Sequence, residues 1–157
     1  MSEGTRTDYD MLCRQMRELA EEEPFYMPLL ANASALLFET LPKLNWAGFY
    51  LIREDGLVLG PFQGKAACIH IAQGKGVCGT AAAENRTVRV QNVHEFPGHI
   101  ACDSASRSEI VVPLRQNGKV VGVMDIDSPE YDRFSPEDQT GLEQVAAIIE
   151  DSMEGWT

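Results

Sequence analysis

The sequence lacks the segments that direct a chain into or across a membrane. No basic segment followed by an apolar stretch occurs in the N-terminal residues MSEGTRTDYD, as a secretory signal would require. No run approaches the ~18 consecutive apolar residues that a membrane-spanning helix needs. We therefore expect a cytoplasmic protein with no membrane partner.

Basic residues are also scarce in this chain. Lys and Arg total 13 against 24 Asp and Glu, which gives a formal net charge of −11. Nucleic acids and anionic membranes attract basic surfaces, so this charge disfavours both as the main partner. A small-molecule ligand is the better expectation.

The motifs of several common enzyme classes are missing. The sequence contains no CxxC or HExxH pattern for zinc, no GxxxxGK[ST] phosphate loop and no GxSxG hydrolase motif. A zinc site remains an alternative, because histidines and cysteines are present, but their spacing is not diagnostic. We expect no metal and no cofactor.

The chain has no internal repeat and no linker that would separate two domains. We predict one domain over residues 1–157, with N-terminal helices in 5–40, a sheet and active-site loops in 45–128, and a C-terminal helix in 135–153. Hydrophobic periodicity predicts the following elements: helices at 5–22, 27–40 and 77–83, and strands at 46–52, 57–62, 66–71, 87–90, 110–114 and 120–126. These elements indicate an α+β fold, with an antiparallel sheet of about six strands and helices packed on one face.

Four cysteines stand out because a chain of this length does not need them for stability. In a reducing compartment such residues are either small buried hydrophobes or reactive thiols. Cys102 lies in a polar loop, 91–107, where His99 or Arg107 could activate its thiol. Cys78 begins a short helix, whose dipole favours a thiolate, although its apolar neighbours equally allow packing. Cys68 is either a core residue or faces a pocket, and Cys13 on a helix flank is interpreted as structural.

The strongest hairpin signal is centred on Asn117 and Gly118, and three acidic residues lie on the two strands that this turn joins. Asp125 and Asp127 are two positions apart and share one face of a strand, while Glu109 lies on the partner strand. A two-residue turn would place Glu109 opposite Ile126, whereas a three-residue turn, 116–118, would place it opposite Asp125. We predict the three-residue turn, with Gly118 at positive φ. Together the three acids would then form a pocket. The alternative to such a pocket is that all three are exposed acids at strand ends.

Five segments resemble the GAF-domain free methionine-(R)-sulfoxide reductases. They are GPFQGKAACI (60–69), GKGVCGT (74–80), GHIACDSAS (98–106), SEIVVPL (108–114) and GVMDIDS (122–128). The GKGV stretch is typical of GAF domains in general, whereas the two cysteine segments and the DID strand are much more specific. The resemblance implies a six-stranded GAF sheet and reduction of free methionine-(R)-sulfoxide through a cysteine sulfenic acid and an intramolecular disulfide. It also implies a thioredoxin-type reductant and a homodimer.

The resemblance also implies roles for individual residues. Cys102 matches the attacking cysteine, Cys68 the resolving cysteine and Cys78 a third cysteine that helps or substitutes in resolution. The substrate-binding positions match two aromatic residues around the methyl end and three acids: Trp46, Tyr50, Glu109, Asp125 and Asp127. The alternative function is a non-catalytic GAF module that senses a small ligand or oxidants, but a ligand sensor needs neither Cys68 nor Cys102.

Overall fold

A six-stranded sheet with helices on both of its faces forms the fold in the computed structural model, which describes residues 6–99 and 104–153. The helices are α1 (Tyr9–Glu21), α2 (Tyr26–Thr40), α3 (Gly76–Glu84) and α4 (Pro136–Asp151). The strands are β1 (Trp46–Arg53), β2 (Gly56–Gly64), β3 (His70–Ala72), β4 (Val88–Val90), β5 (Ser108–Gln116) and β6 (Lys119–Ser128). One 3-10 turn, Val93–Glu95, lies in the connection between β4 and β5.

The sheet is antiparallel throughout and has the order β3-β2-β1-β6-β5-β4. Strands β1 and β6, from opposite halves of the chain, pair at its centre. Side chains therefore alternate between the two faces of the sheet over most of its length. The predicted α+β fold with six antiparallel strands is confirmed.

The three long helices cover one face of the sheet. Residues Leu12, Leu37 and Ile149 of α1, α2 and α4 pack with Phe49 and Ile126 of the sheet in one buried cluster. Helix α4 begins where its sequence predicts, because Ser135 and Asp138 form a capping box around Pro136. None of the helices in the described residues is both long and apolar enough to cross a membrane.

The short helix α3 lies on the opposite face of the sheet. Its residues Val77, Cys78 and Ala81 pack with Val111 of β5 and Val123 of β6 in a second buried cluster. The three long helices cover one face of the sheet, as expected. Helix α3 packs on the other face, which the sequence did not predict. The candidate site lies on the α3 face.

One predicted strand is mostly wrong. The expected strand at 66–71 is reduced to β3, and residues 65–69 before it are irregular. Gly64 at φ +130° ends β2, and the chain then leaves the ladder. The prediction that Cys68 lies in a strand is therefore wrong, because residues 65–69 are not extended as part of the sheet.

The predicted three-residue turn between β5 and β6 is also wrong. Gln116 pairs with Lys119, so the turn has two residues, Asn117 and Gly118, with φ +54° and +78°. The expected positive φ of Gly118 is confirmed. One extra residue in β6 shifts the register beyond the Leu114 pair, because Arg115 pairs with Val120 but Leu114 with Gly122. This bulge brings Glu109 opposite Asp127, which neither turn alone would have done.

Candidate active site

Three carboxylates cluster on the α3 face of strands β5 and β6. Glu109 pairs directly with Asp127 across the ladder, and Asp125 is two residues before Asp127 on the same face. The residues Glu109 and Asp125 are only 8% and 5% exposed. The alternative of exposed acids at strand ends is therefore wrong.

Few polar groups compensate these buried carboxylates. Ser106 Oγ donates to Asp127 Oδ2 at 3.1 Å, and Asn45 Nδ2 donates to Ser106 Oγ at 3.0 Å. The other oxygen of Asp127 and the Oδ1 of Asp125 accept no hydrogen bond from the described residues. Ion pairs within the described part of the chain do not involve any of the three acids. The cluster is therefore prepared to hold protons or to bind a cationic group.

The protonation of the three acids differs. Burial, together with the charges of Asp125 and Asp127, raises the pKa of Glu109 well above its usual value. Burial and the charge of Asp125 likewise raise the pKa of Asp127 well above its usual value. Burial also raises the pKa of Asp125, but hydrogen bonds from Glu109 and Cys78 oppose this rise. Three carboxylates this close together repel one another, so they do not all carry a negative charge at once. The shifts favour a charged Asp125 with neutral Glu109 and Asp127.

Helix α3 brings Cys78 to the edge of this cluster. Its thiol is 4% exposed, and Cys78 Sγ donates toward Glu109 Oε2 at 4.0 Å. Burial first, and then the charges of Asp125 and Glu109, raise the pKa of the Cys78 thiol well above its usual value. The helix dipole considered from the sequence is therefore outweighed, and Cys78 is a neutral thiol.

An aromatic wall stands beside the carboxylates on strands β1 and β2. The Trp46 ring stacks on Tyr50 at 5.9 Å and on Phe62 at 5.1 Å between ring centroids. Trp46 Nε1 donates to the Lys65 carbonyl at 3.1 Å, and the Tyr50 hydroxyl donates to the Cys68 carbonyl at 2.9 Å. These two hydrogen bonds attach the irregular segment 65–69 to the wall.

The aromatic wall and the carboxylates line one cavity of about 50 Å³. The predicted residues that line it are Trp46, Tyr50, Cys78, His99, Glu109, Asp125 and Asp127. The sequence interpretation did not single out Lys75, Ile71 or Ser106, which also line it. Ser106 belongs to a polar loop with no periodicity, so no local signal distinguished it from its neighbours. The roles assigned to the predicted residues stay predictions.

The remaining cysteines have different surroundings. Cys68 is half-buried and disulfide-bonded. Cys13 is a buried free thiol in the helical layer, as expected of a structural residue. Cys102 lies outside the described residues. His99, a proposed activator of Cys102, lines the cavity, and burial and His94 lower its pKa.

Some of these residues have the donor types of a metal site. One ligand atom each of Cys78, Glu109 and Asp125 lie within 4.8 Å of one another. The histidines and the other cysteines considered from the sequence do not join such a group within the described residues.

Comparison with known proteins assigns the family. The GAF domain matches residues 28–153. The chain belongs to the GAF domain family. This GAF domain is 54% identical over 142 residues to the free methionine-R-sulfoxide reductase of Escherichia coli K12, covering 90% of this chain and 86% of that protein.

Solved structures place this GAF domain in the same group. The fRMsr of Staphylococcus aureus in complex with substrate has a TM-score of 0.90 and 50% identity, and covers 94% of this chain and 97% of its own. The free methionine-R-sulfoxide reductase of Neisseria meningitidis in complex with its substrate has a TM-score of 0.90 and 43% identity, with coverage of 93% and 88%. The resemblance inferred from the sequence motifs is therefore confirmed.

Proposed function

We propose that this GAF domain is an oxidoreductase that reduces free L-methionine-(R)-S-oxide to L-methionine. The observation that carries the proposal is the group of three carboxylates at a cavity with an aromatic wall, in which Glu109 and Asp125 are buried and Asp127 is half-buried. The names and substrate complexes of the similar proteins support the same reaction.

Asp125 is proposed to bind the ammonium group of the free amino acid. A methionine sulfoxide residue within a peptide has no ammonium at this position, so a buried carboxylate favours the free form. Asp125 suits this role because its Oδ1 accepts no hydrogen bond from the described residues. In addition, hydrogen bonds from Glu109 and Cys78 counteract the rise in its pKa that burial causes, which favours the charged form. The cation would replace the missing partner of that oxygen.

Glu109 and Asp127 are proposed to hold the sulfoxide oxygen. Burial and the neighbouring charges raise the pKa of both carboxyls and so favour their protonated forms, each of which can donate a hydrogen bond to that oxygen. An Asp127→Asn variant cannot supply a proton and should turn over more slowly. Unchanged turnover in this variant would remove the assignment.

The aromatic wall is proposed to hold the apolar end of the substrate. Trp46 and Tyr50 both face the cavity and are almost completely buried. Burying a methyl group against such rings stabilises binding by about 0.8 kcal/mol per carbon. The wall and the carboxylates lie on neighbouring strands, so one substrate can contact both.

The redox steps are proposed to use Cys102 and Cys68. The Cys102 thiolate attacks the sulfoxide, the bond between the substrate sulfur and its oxygen breaks, and one proton is taken up, which leaves methionine and a sulfenic acid on Cys102. The Cys68 thiol then attacks the Cys102 sulfur, which forms a disulfide and releases water. The disulfide-bonded state of Cys68 and its attachment to Tyr50 support a place for it beside the cavity.

Cys78 is the other candidate for the resolving step. Its thiol is buried among carboxylates that raise its pKa, so its thiolate is scarce at neutral pH. Thiol-disulfide chemistry requires the thiolate, which favours Cys68 over Cys78 as the resolving nucleophile.

A thioredoxin-type dithiol is proposed to complete the cycle by reducing the disulfide. The balanced reaction is then methionine sulfoxide plus dithiol, which give methionine, disulfide and water. We also propose that the protein acts in the cytoplasm and as a homodimer.

A single-turnover experiment tests the proposal. The reduced full chain is mixed with an equal mixture of the two sulfur epimers of free L-methionine sulfoxide, containing one equivalent of the R epimer, and free thiols and both epimers are counted. We expect two thiols to be lost and only the R epimer to be consumed. Cys13→Ser should behave like the parent protein, because Cys13 is in the helical layer. Absence of both losses would contradict the reductase and favour the sensor.

A further inference from the structure

Cys78, Glu109 and Asp125 combine a thiol with two carboxylates in a buried place. They come from three different elements, α3, β5 and β6, and their ligand atoms lie within 4.8 Å of one another. All three residues are less than one-tenth exposed. Packing of α3 on the sheet therefore holds the group together without help from a flexible loop.

An unsatisfied polar atom points to a ligand at this group. Asp125 Oδ1 is buried and accepts no hydrogen bond from any described residue, and Asp125 lines the cavity. No described Lys or Arg forms an ion pair with it. A buried carboxylate oxygen without a partner costs free energy that a bound cation would recover.

The distances suit a small divalent cation. Cys78 Sγ and Glu109 Oε2 are 4.0 Å apart. Tetrahedral zinc separates a sulfur and an oxygen ligand by about 3.6 Å, so this pair must close by a few tenths of an ångström, and the Asp125 oxygen, which lies within 4.8 Å of both atoms, must move inward with it. The cavity of about 50 Å³ leaves room for the ion and a further ligand. A water molecule can fill that fourth position.

We propose that Cys78 Sγ and the carboxylates of Glu109 and Asp125 form a Zn²⁺ site. A thiolate among the ligands selects zinc over Mg²⁺ and Ca²⁺, which prefer oxygen alone. Binding releases the thiol proton of Cys78 and the carboxyl proton of Glu109 to solvent, so the affinity rises with pH. The inference goes beyond the proposed reaction: bound zinc occupies Asp125 and Glu109, so zinc and substrate exclude each other.

Direct metal binding tests this site without any turnover. The full chain carrying Cys68→Ser and Cys102→Ser, which removes the other thiols of the redox chemistry, is titrated with Zn²⁺ against a chromophoric chelator. Co²⁺ provides a second probe, since a thiolate ligand gives it a charge-transfer absorption band. We expect one Zn²⁺ per chain and this band with Co²⁺.

Variants in this background locate the ion. Loss of an outer hydrogen-bonding partner already weakens zinc sites about 10- to 100-fold, so loss of a ligand should cost at least about 100-fold. Cys78→Ser should show this loss together with loss of the cobalt band, whereas Cys13→Ser, with an equally buried thiol, should bind normally. Asp125→Asn, which keeps the side-chain shape, should also show the loss and remains decisive if Cys78→Ser does not fold.

Three results would overturn the zinc site. They are no stoichiometric binding in the parent background, equal affinity in folded Cys78→Ser or Asp125→Asn, and loss of binding in Cys13→Ser. Because none of these readouts uses methionine sulfoxide, failure of the zinc site leaves the reductase proposal standing. Failure of the single-turnover experiment likewise leaves the zinc site standing.

Discussion

The buried carboxylates should make this protein less stable as the pH rises toward neutrality, and Asp127→Asn should remove part of that loss. Burial and the charge of Asp125 raise the pKa of Asp127 well above its usual value. The folded state therefore keeps a proton that the unfolded chain releases near pH 3.9. Stability from this group is complete below the unfolded pKa and is lost as the pH rises toward the folded pKa.

The size of the effect follows from proton linkage. Each proton that is kept only in the folded state lowers the free energy of unfolding by about 1.4 kcal/mol for each pH unit. From pH 5 to pH 7, one such proton costs about 2.7 kcal/mol as an upper bound. Glu109 adds a similar contribution, because its pKa is raised by the same causes.

Asparagine is nearly the same shape as aspartate but has no carboxyl proton. Its side-chain oxygen still accepts the 3.1 Å hydrogen bond from Ser106 Oγ. Its amide nitrogen takes the place of Oδ1, which accepts no bond from the described residues, and can donate to the Asp125 carboxylate. We expect Asp127→Asn to raise the free energy of unfolding at pH 7 by about 1–3 kcal/mol. The gain should shrink toward pH 4.

Urea unfolding of Asp127→Asn and its parent from pH 4 to pH 8 measures this difference. Asp55→Asn is the matched control, because Asp55 is exposed in the turn between β1 and β2. The control should leave both the stability and its pH slope within about 0.5 kcal/mol of the parent. An Asp127→Asn variant with the parent's pH slope, or one that is less stable at pH 7, would refute the reasoning.

Two further predictions concern the aromatic wall. Tyr50→Phe removes the 2.9 Å hydrogen bond to the Cys68 carbonyl, so we expect slower disulfide formation, with more sulfenic acid trapped by dimedone after one turnover. Unchanged trapping would show that this bond does not position Cys68. Gly48→Ala would place a Cβ against the Phe62 Cβ and 2.8 Å from the Phe62 Cα, so urea unfolding should show a loss of about 1–3 kcal/mol. A stability equal to the parent's would mean that β1 and β2 separate easily.

The elements with local signals could be predicted from the sequence. The start of α4 follows from Ser135, Pro136 and Asp138, which satisfy the first turn of the helix themselves. The strand at 66–71 could not be predicted correctly, because the Cys68 carbonyl accepts a hydrogen bond from the Tyr50 side chain instead of from a neighbouring strand. That contact depends on residues far away in the chain.

The sequence predicted several of the residues that line the cavity, but not their register or their charge. The two-residue spacing of Asp125 and Asp127 was enough to place them on one face. The bulge that brings Glu109 opposite Asp127 carries no turn signal, so the register was missed. The position of Cys78 at a helix start favoured a thiolate. Burial and the carboxylates of Asp125 and Glu109, which only the tertiary structure brings close to Cys78, raise its pKa instead and favour the neutral thiol.

The comparison of free and N-acetylated methionine-(R)-sulfoxide tests the central claim most directly. Acetylation removes the positive charge that Asp125 is proposed to bind and leaves the sulfoxide unchanged. Loss of one partner from a buried charge pair costs about 2–5 kcal/mol, so we expect kcat/KM to fall at least about 30-fold for the acetylated compound. Equal kcat/KM values for the two compounds, or no reduction of the free amino acid, would contradict the account.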